Sequence, residues 1–208
     1  MRTNGSGVAV KEEMAIAAIR EGLSRAKNPF VAFTGDKNSL VVLHIVKKIA
    51  KASASVLHID TTANFHEIYL YIEKMRKLWG LRLFREKNDE ALKTIEIAKD
   101  GTQCCQLLKA QALRMAIEKH DVDYLFVAVG PDKEEIRSCI CVNPIISFTE
   151  EDIWDHIKHY NLPYCSLYDR GYRDISCVPC TSSPVKESER EEDEEEIGKK
   201  LRALGYST

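Results

Sequence analysis

Short apolar, β-branched runs alternating with helix-patterned segments constrain this 208-residue chain more than any other feature. "FVAF" (30–33), "SVLHID" (55–60), "GLRLFRE" (80–86) and "YLFVAVG" (124–130) read as strands, and "CICVNPI" (139–145) as a further one. Helical spacing marks 9–27, where Val10, Met14, Ile16, Ala17, Ile19 and Leu23 share a face, then a segment from about Asn38, residues 65–79 and residues 104–119. "SFTEEDIWDHIKHY" starts another helix, with Thr149 as N-cap and Glu151 and Asp152 in its first turn. Strands separated by helices form βαβ units. The expected fold class is therefore α/β, a mostly parallel twisted sheet with helices on both faces.

Hydrophobic residues make up 44% of the chain, enough for one sizeable core, so residues 1–182 are expected to form a single α/β domain. From Ser183 the composition shifts to "KESEREEDEEE" and then "IGKKLRALGY", which reads as a charged C-terminal helical tail over 183–208. A net charge of -2 argues against a nucleic-acid partner, whose affinity would need phosphate neutralisation. "MRTNGSGVAVKEE" has no apolar signal core and no run reaches membrane-spanning length, so a cytoplasmic chain without a membrane partner is expected. In that compartment seven cysteines suit metal ligation or redox work better than a disulfide framework.

"FTGDKNS" (33–39) joins the first strand to a helix, where backbone N–H groups and the helix N-terminus favour an anion. Gly35 would let the chain approach a phosphate, and Lys37 and Ser39 would donate to it. The stretch matches neither the phosphate-loop pattern nor the dinucleotide fingerprint, and a tight turn capped by Asp36 or Asn38 would look the same.

Cys104 and Cys105 stand at the start of a helix, and Cys177 and Cys180 form a C-x-x-C pair among Gly, Pro and hydroxyl residues. Four thiolates in two groups suit an iron–sulfur cluster, with Lys109 and the helix N-terminus favouring the ionised form. A tandem Cys-Cys is a poor zinc pattern, and small apolar core residues are the plain alternative. Cys139, Cys141 and Cys165 sit in apolar settings and read as core. His44 and His58 are placed beside the loop.

Several stretches together resemble the adenylyl-sulfate / phosphoadenylyl-sulfate reductase family: the loop 34–39, "LHIDTTANFHEIYLYIEKMRKLWGL" (57–81), "CCQLLKAQAL" (104–113), "NPIISFTEEDIWDHIKHYNLPYCSLYDRGY" (143–172) and "SCVPCT" (176–181). The resemblance implies an adenine nucleotide α-hydrolase-like, Rossmann-like fold, shared with ATP pyrophosphatases and FAD synthetases. It implies a [4Fe-4S] cluster on Cys104, Cys105, Cys177 and Cys180, and a lysine matched by Lys109. Adenosine is implied near Phe33, Thr34, Gly35, Asp36, Lys37, Asn38 and Ser39 and near Asp60, with the phosphates at the loop.

Three departures accompany it. The family's nucleophilic cysteine lies in a C-terminal segment, whereas this sequence closes on "LRALGYST" and its last cysteine is Cys180. Cys165 is the remaining thiol considered as an internal nucleophile. An Arg-Arg-Asp-type segment gives way to "GPDKEEIR", leaving Lys133 and Arg137 as substitutes at the nucleotide. Asp36 replaces a loop glycine, which suits phosphates only if it faces away or binds Mg²⁺. The expected function is sulfonucleotide reduction of adenylyl sulfate or its 3′-phosphate, with a thiol or electron-donor protein as partner and a homo-oligomer as a compatible assembly. The alternatives are an ATP-pyrophosphatase-type adenylating enzyme, FAD synthetase-like or sulfur-inserting and Mg²⁺-dependent, and a non-catalytic nucleotide-binding relative.

Overall fold

The structure, a computed structural model, describes residues 5–50, 54–130, 133–136 and 138–182, with the backbone alone for 5–8 and 133–135. The expected charged tail, 183–208, lies outside the described residues. Along the chain come α1 (Gly5–Arg25), β1 (Pro29–Ala32), α2 (Lys37–Ala50), β2 (Ser55–Ile59), α3 (His66–Trp79), β3 (Leu83–Glu86), α4 (Asp89–Thr94) and α5 (Gly101–Cys105). A π-helical segment, Gln106–Gln111, joins α5 to α6 (Ala112–Lys119). There follow β4 (Tyr124–Phe126), β5 (Lys133–Ile136), β6 (Cys139–Val142) and α7 (Glu150–His159).

The strands form one six-stranded sheet in the order β3-β2-β1-β4-β6-β5. Five are parallel, and β5 runs antiparallel to β6 at the edge. Side chains alternate across a sheet, so aligned rows serve opposite faces. Val56, Val31, Phe126 and Val142 stand in register and are buried in the larger core, beneath α1, α2, α3 and α7. One residue earlier, Phe30, Leu125 and Cys141 pair in register and bury on the other face, against Ala116 and Ile117 of α6. Helices thus cover both faces, as the alternation of elements requires.

Where the structure differs from the sequence expectation, the reasons are local. The strand-like run 124–130 pairs only as far as Phe126, and Val127–Val129 line a cleft instead. Helix 104–119 contains the π segment directly after the cysteines. Asn88, buried, caps α4 by accepting from Ala91 N–H at 3.1 Å, and its amide donates to the Leu107 carbonyl at 3.1 Å and to Gln111 Oε1 at 3.3 Å. The Asn88 amide thus meets a carbonyl of the π segment itself, a kind of local irregularity that is frequent at functional sites. Neither short α4 nor the edge strand β5 has a periodic signature strong enough to read.

The order of strands reverses direction between β1 and β4, with β2 and β3 to one side and β6 and β5 to the other. In open α/β sheets the crevice for a ligand lies at this point, beyond the carboxyl ends of the strands.

Candidate functional site

A cleft of about 610 Å³ opens at that reversal, walled by the ends of β1, β2 and β4, the loop 33–39, the π segment and residues 174–177. Its volume is in the range of small-molecule sites. Phe33, Thr34, Asp36, Lys37, Asn38 and Ser39 all line it. Gly35 does not, but its φ of 87° and the 3.1 Å that a Cβ would leave to Ile68 Cγ2 explain why glycine stands there.

Asp36 faces the helix rather than the cleft's centre. Its Oδ1 accepts from Ser39 N–H at 2.7 Å, capping α2, and its Oδ2 accepts from Thr34 Oγ1 at 2.7 Å. The backbone N–H of Lys37 donates to Tyr168 Oη at 2.8 Å. Burial pushes the Tyr168 phenol well up, so this acceptor is uncharged. Lys37 itself is buried. Its ammonium donates to the Arg173 carbonyl, pairs with Asp174 at 3.2 Å and Glu150 at 3.3 Å, and lies over the Tyr168 ring. The site intended by sequence for an anion is thus filled by the protein's own acceptors, and the Asp174 side chain among them is 95% exposed.

Asp60, grouped with the nucleotide by sequence, lies outside the cleft wall. Its Oδ1 accepts from Thr62 N–H at 2.8 Å and from Tyr69 Oη at 2.7 Å, closing the turn after β2. Burial, with this bond second, pushes the Tyr69 phenol up to about 12. The side chains of Lys133 and Arg137 lie outside the described residues.

Cys104, Cys105, Cys177 and Cys180, from two distant parts of the chain, line one small cavity of about 20 Å³ together with Lys109 and Thr61. Thr61 Oγ1 lies 3.2 Å from Cys177 Sγ, and Ala98 N–H donates to Cys104 Sγ at 3.4 Å. The strand-like bridge of Asn64 to Cys177 and the bond from Val178 N–H to Ala63 O at 2.8 Å hold the C-x-x-C turn against the end of β2. Among the described residues no three Cys, His, Asp or Glu side chains are grouped to hold a single metal ion. The four thiols fit a cluster by donor chemistry, since each iron of a cluster takes its own thiolate, and by the N–H and hydroxyl groups already directed at two sulfurs. The cavity between them is smaller than such a cluster, and the exposed Cys180 forms part of its wall.

Cys105 and Lys109 line both this cavity and the cleft, so the two share a wall. Lys109 Nζ donates to Ser176 Oγ at 3.0 Å, one residue before Cys177. Cys165 is 1% exposed in the core, outside the cleft wall, and burial pushes its thiol up, which opposes its use as a nucleophile. Cys139 and Cys141 are buried, and Cys141 also touches the cleft. His58 lies beside the loop, its Nδ1 2.9 Å from the Phe33 carbonyl. His44 lies elsewhere, 2.9 Å from His156 between α2 and α7. Tyr168, Glu150, Asp174 and Ser176 escaped the sequence reading, because each acts on a partner far away in the chain.

The sequence matches the model of the phosphoadenosine phosphosulfate reductase domain family over residues 28–130 and 129–183. It is 30% identical over 168 residues to an adenosine 5′-phosphosulfate reductase of Oceanobacillus iheyensis, covering 69% of this chain and 67% of that one. An uncharacterized protein of Methanocaldococcus jannaschii is 27% identical over 207 residues, covering 90% of this chain but 43% of its own length. The chain therefore spans less than half of that relative and about two-thirds of the reductase. In fold it is similar to a phosphoadenylyl-sulfate reductase from Candida auris, with a TM-score of 0.71 at 17% identity over 88% of this chain and 99% of that one. It is also similar to the FMN adenylyltransferase of Candida glabrata, with a TM-score of 0.65 at 15% identity over 86% of this chain and 66% of that one. Among the described residues no helix is long and apolar enough to cross a membrane.

Proposed function

Because this chain belongs to the phosphoadenosine phosphosulfate reductase domain family, an enzyme family, we propose that it acts on adenylyl sulfate or its 3′-phosphate in the cleft beyond β1 and β4. The observation that carries this reading is the shared wall: Lys109 and Cys105 border both the cleft and the four-cysteine cavity. The nucleotide's anionic end takes the α2 N-terminus, where Lys37 exchanges Asp174 and the Arg173 carbonyl for ligand oxygens. Lys109, on the wall between the cavities, offsets the charge of the group nearest the cysteines.

The reaction proposed is attack by a thiolate on the sulfur of the sulfonucleotide. An S–S bond forms, the S–O bond breaks, and AMP, or adenosine 3′,5′-bisphosphate, leaves with the bonding pair. A second thiolate then attacks the protein sulfur, forming a disulfide and releasing sulfite, so that two thiols are oxidised as the substrate sulfur is reduced. With Cys139 and Cys165 buried, Cys141 at the cleft but within the core, and the other four thiols assigned to the small cavity, the attacking thiol comes from a donor protein. A [4Fe-4S] cluster on Cys104, Cys105, Cys177 and Cys180 would supply a charged, redox-capable centre on the far side of Lys109.

The test is anaerobic purification with iron and sulfide determination, then thermal shift with adenylyl sulfate, its 3′-phosphate, ATP and FMN, and a sulfite assay with a dithiol. Stabilisation by a sulfonucleotide and sulfite release support the proposal. Stabilisation by ATP and FMN alone would transfer the chain to adenylyl transfer, and iron-free protein that still releases sulfite would remove the cluster from the reading.

A further inference from the structure

His58 stands next to the last residue of β2 on the cleft wall, 1% exposed. Its Nδ1 lies 2.9 Å from the Phe33 carbonyl. A carbonyl only accepts, so Nδ1 carries the hydrogen. Burial is the first cause lowering the imidazole's pKa, so the ring is neutral at physiological pH. Nε2 is then a bare lone pair, an acceptor alone. It is the one buried side-chain nitrogen or oxygen without a hydrogen-bond partner among the described residues. A buried acceptor left unpaired is expensive, and an apolar residue of similar size would avoid the cost.

We infer that His58 Nε2 accepts a hydrogen bond from the nucleoside part of the ligand, either the exocyclic amine of the base or a ribose hydroxyl, and so makes His58 a specificity-determining residue. The inference rests on the proposed nucleotide reading and extends it in one direction. Phosphate and sulfate oxygens carry no hydrogen to donate at neutral pH, so they cannot satisfy Nε2. The ligand's uncharged donors must face β2, while its anionic end faces Lys37 at the start of α2. Base and ribose offer the same donor chemistry, and analogues lacking one donor each separate them.

The experiment is calorimetric titration of the full chain with AMP, 2′-deoxy-AMP, 3′-deoxy-AMP and IMP, which replaces the amine by a carbonyl. The wild-type protein is expected to bind one of the three analogues at least ~10-fold more weakly than AMP. In His58→Asn the amide nitrogen keeps the bond to the Phe33 carbonyl and the Nε2 acceptor is lost. AMP and that same analogue should then bind alike, both about as weakly as the analogue binds the wild type. His58→Gln carries an amide oxygen to the position of Nε2 and should restore part of the discrimination. A wild-type protein that binds all four alike overturns the assignment without any variant, and so does His58→Asn retaining the wild-type penalty. Absence of AMP binding to the wild type overturns the nucleotide reading itself, and this assignment falls with it.

Discussion

Two helices enter the site with opposite habits. α7 satisfies the backbone donors of its N-terminus with its own neighbours, Thr149 Oγ1 accepting from Asp152 N–H at 3.2 Å and Asp152 Oδ2 from Thr149 N–H at 2.7 Å. Only its acidic side chains reach farther, Asp152 to Lys11 and Glu150 to Lys37. α2 is capped locally only by Asp36. Its other N-terminal groups reach far along the chain, the Lys37 N–H to Tyr168 and the Lys37 ammonium to Arg173 and Asp174. Those partners stand just before Cys177 and Cys180. A local cap supplies stability and nothing else, whereas distant partners tie whatever binds at α2 to the placement of the C-x-x-C turn. The difference separates a helix that holds the site from a helix that works in it.

The sharpest way to break this contrast is Lys37→Met. The variant keeps the aliphatic stem in its buried slot and removes the charge. Loss of a charged hydrogen bond to a ligand costs roughly 1.5–3 kcal/mol, so affinity for adenylyl sulfate should fall by about 10- to 100-fold. The carboxylates left behind are exposed, at 95% for the Asp174 side chain and 55% for Glu150, so the melting temperature should move little. Calorimetry and thermal unfolding on the same sample check both halves. A large stability loss without a change in affinity would make Lys37 as structural as Thr149.

The two helices also meet away from the cleft, where His44 of α2 lies 2.9 Å from His156 of α7, beside Glu12, Lys48 and Tyr160. Burial is the main cause lowering both imidazoles to about 4, and each ring or the nearby Lys48 adds repulsion. The folded state therefore binds fewer protons than the unfolded chain between about 4 and the ordinary value of 6.5. Stability from this pair is fully present above 6.5 and is lost as pH falls toward 4. After allowance for solvent screening the loss is on the order of 2 kcal/mol. Urea midpoints across that window should fall in the wild type, and the slope should flatten in His156→Phe.

Thr149→Ala is the matching test on the local cap. It should lower stability by about 1 kcal/mol and leave nucleotide affinity unchanged. Chemical denaturation and a binding titration would read this pair of outcomes.

This same division governs what could be read from the sequence. The parallel strands and the α7 cap depend on neighbours a few positions apart, and periodicity or residue type reveals them. The capping role of Asp36 was one of two readings open, because an acidic residue before a helix looks the same whether it caps or faces a ligand. Asn88 on Leu107, Tyr168 on Lys37 and Ser176 on Lys109 join residues from 19 to 131 positions apart, and no local pattern encodes such meetings. The π segment, whose Leu107 carbonyl takes one of these bonds, carries no local signature either. The place of His58 beside the loop follows from its position in the chain, but only the folded protein shows that one nitrogen is spent on Phe33 while the other has no partner.

Asp174→Asn gives the smallest and most discriminating effect. Its carboxylate stands 3.2 Å from the Lys37 ammonium while its side chain is 95% exposed, so the pair itself is weak. Exposed pairs contribute roughly 0–1 kcal/mol, and the folded protein should not notice the change. A ligand anion does notice, because it must replace this carboxylate at Lys37 and is repelled by it until it does. Removing the charge should therefore tighten binding of inorganic pyrophosphate and of adenylyl sulfate by up to about 5-fold, a gain that shrinks as salt is raised. The sign is opposite to that of Lys37→Met, and neutral AMP analogues lacking the phosphate should show no gain. Equal affinities in wild type and variant at low salt would mean that the ligand leaves Asp174 in place and that Lys37 serves the C-x-x-C turn alone.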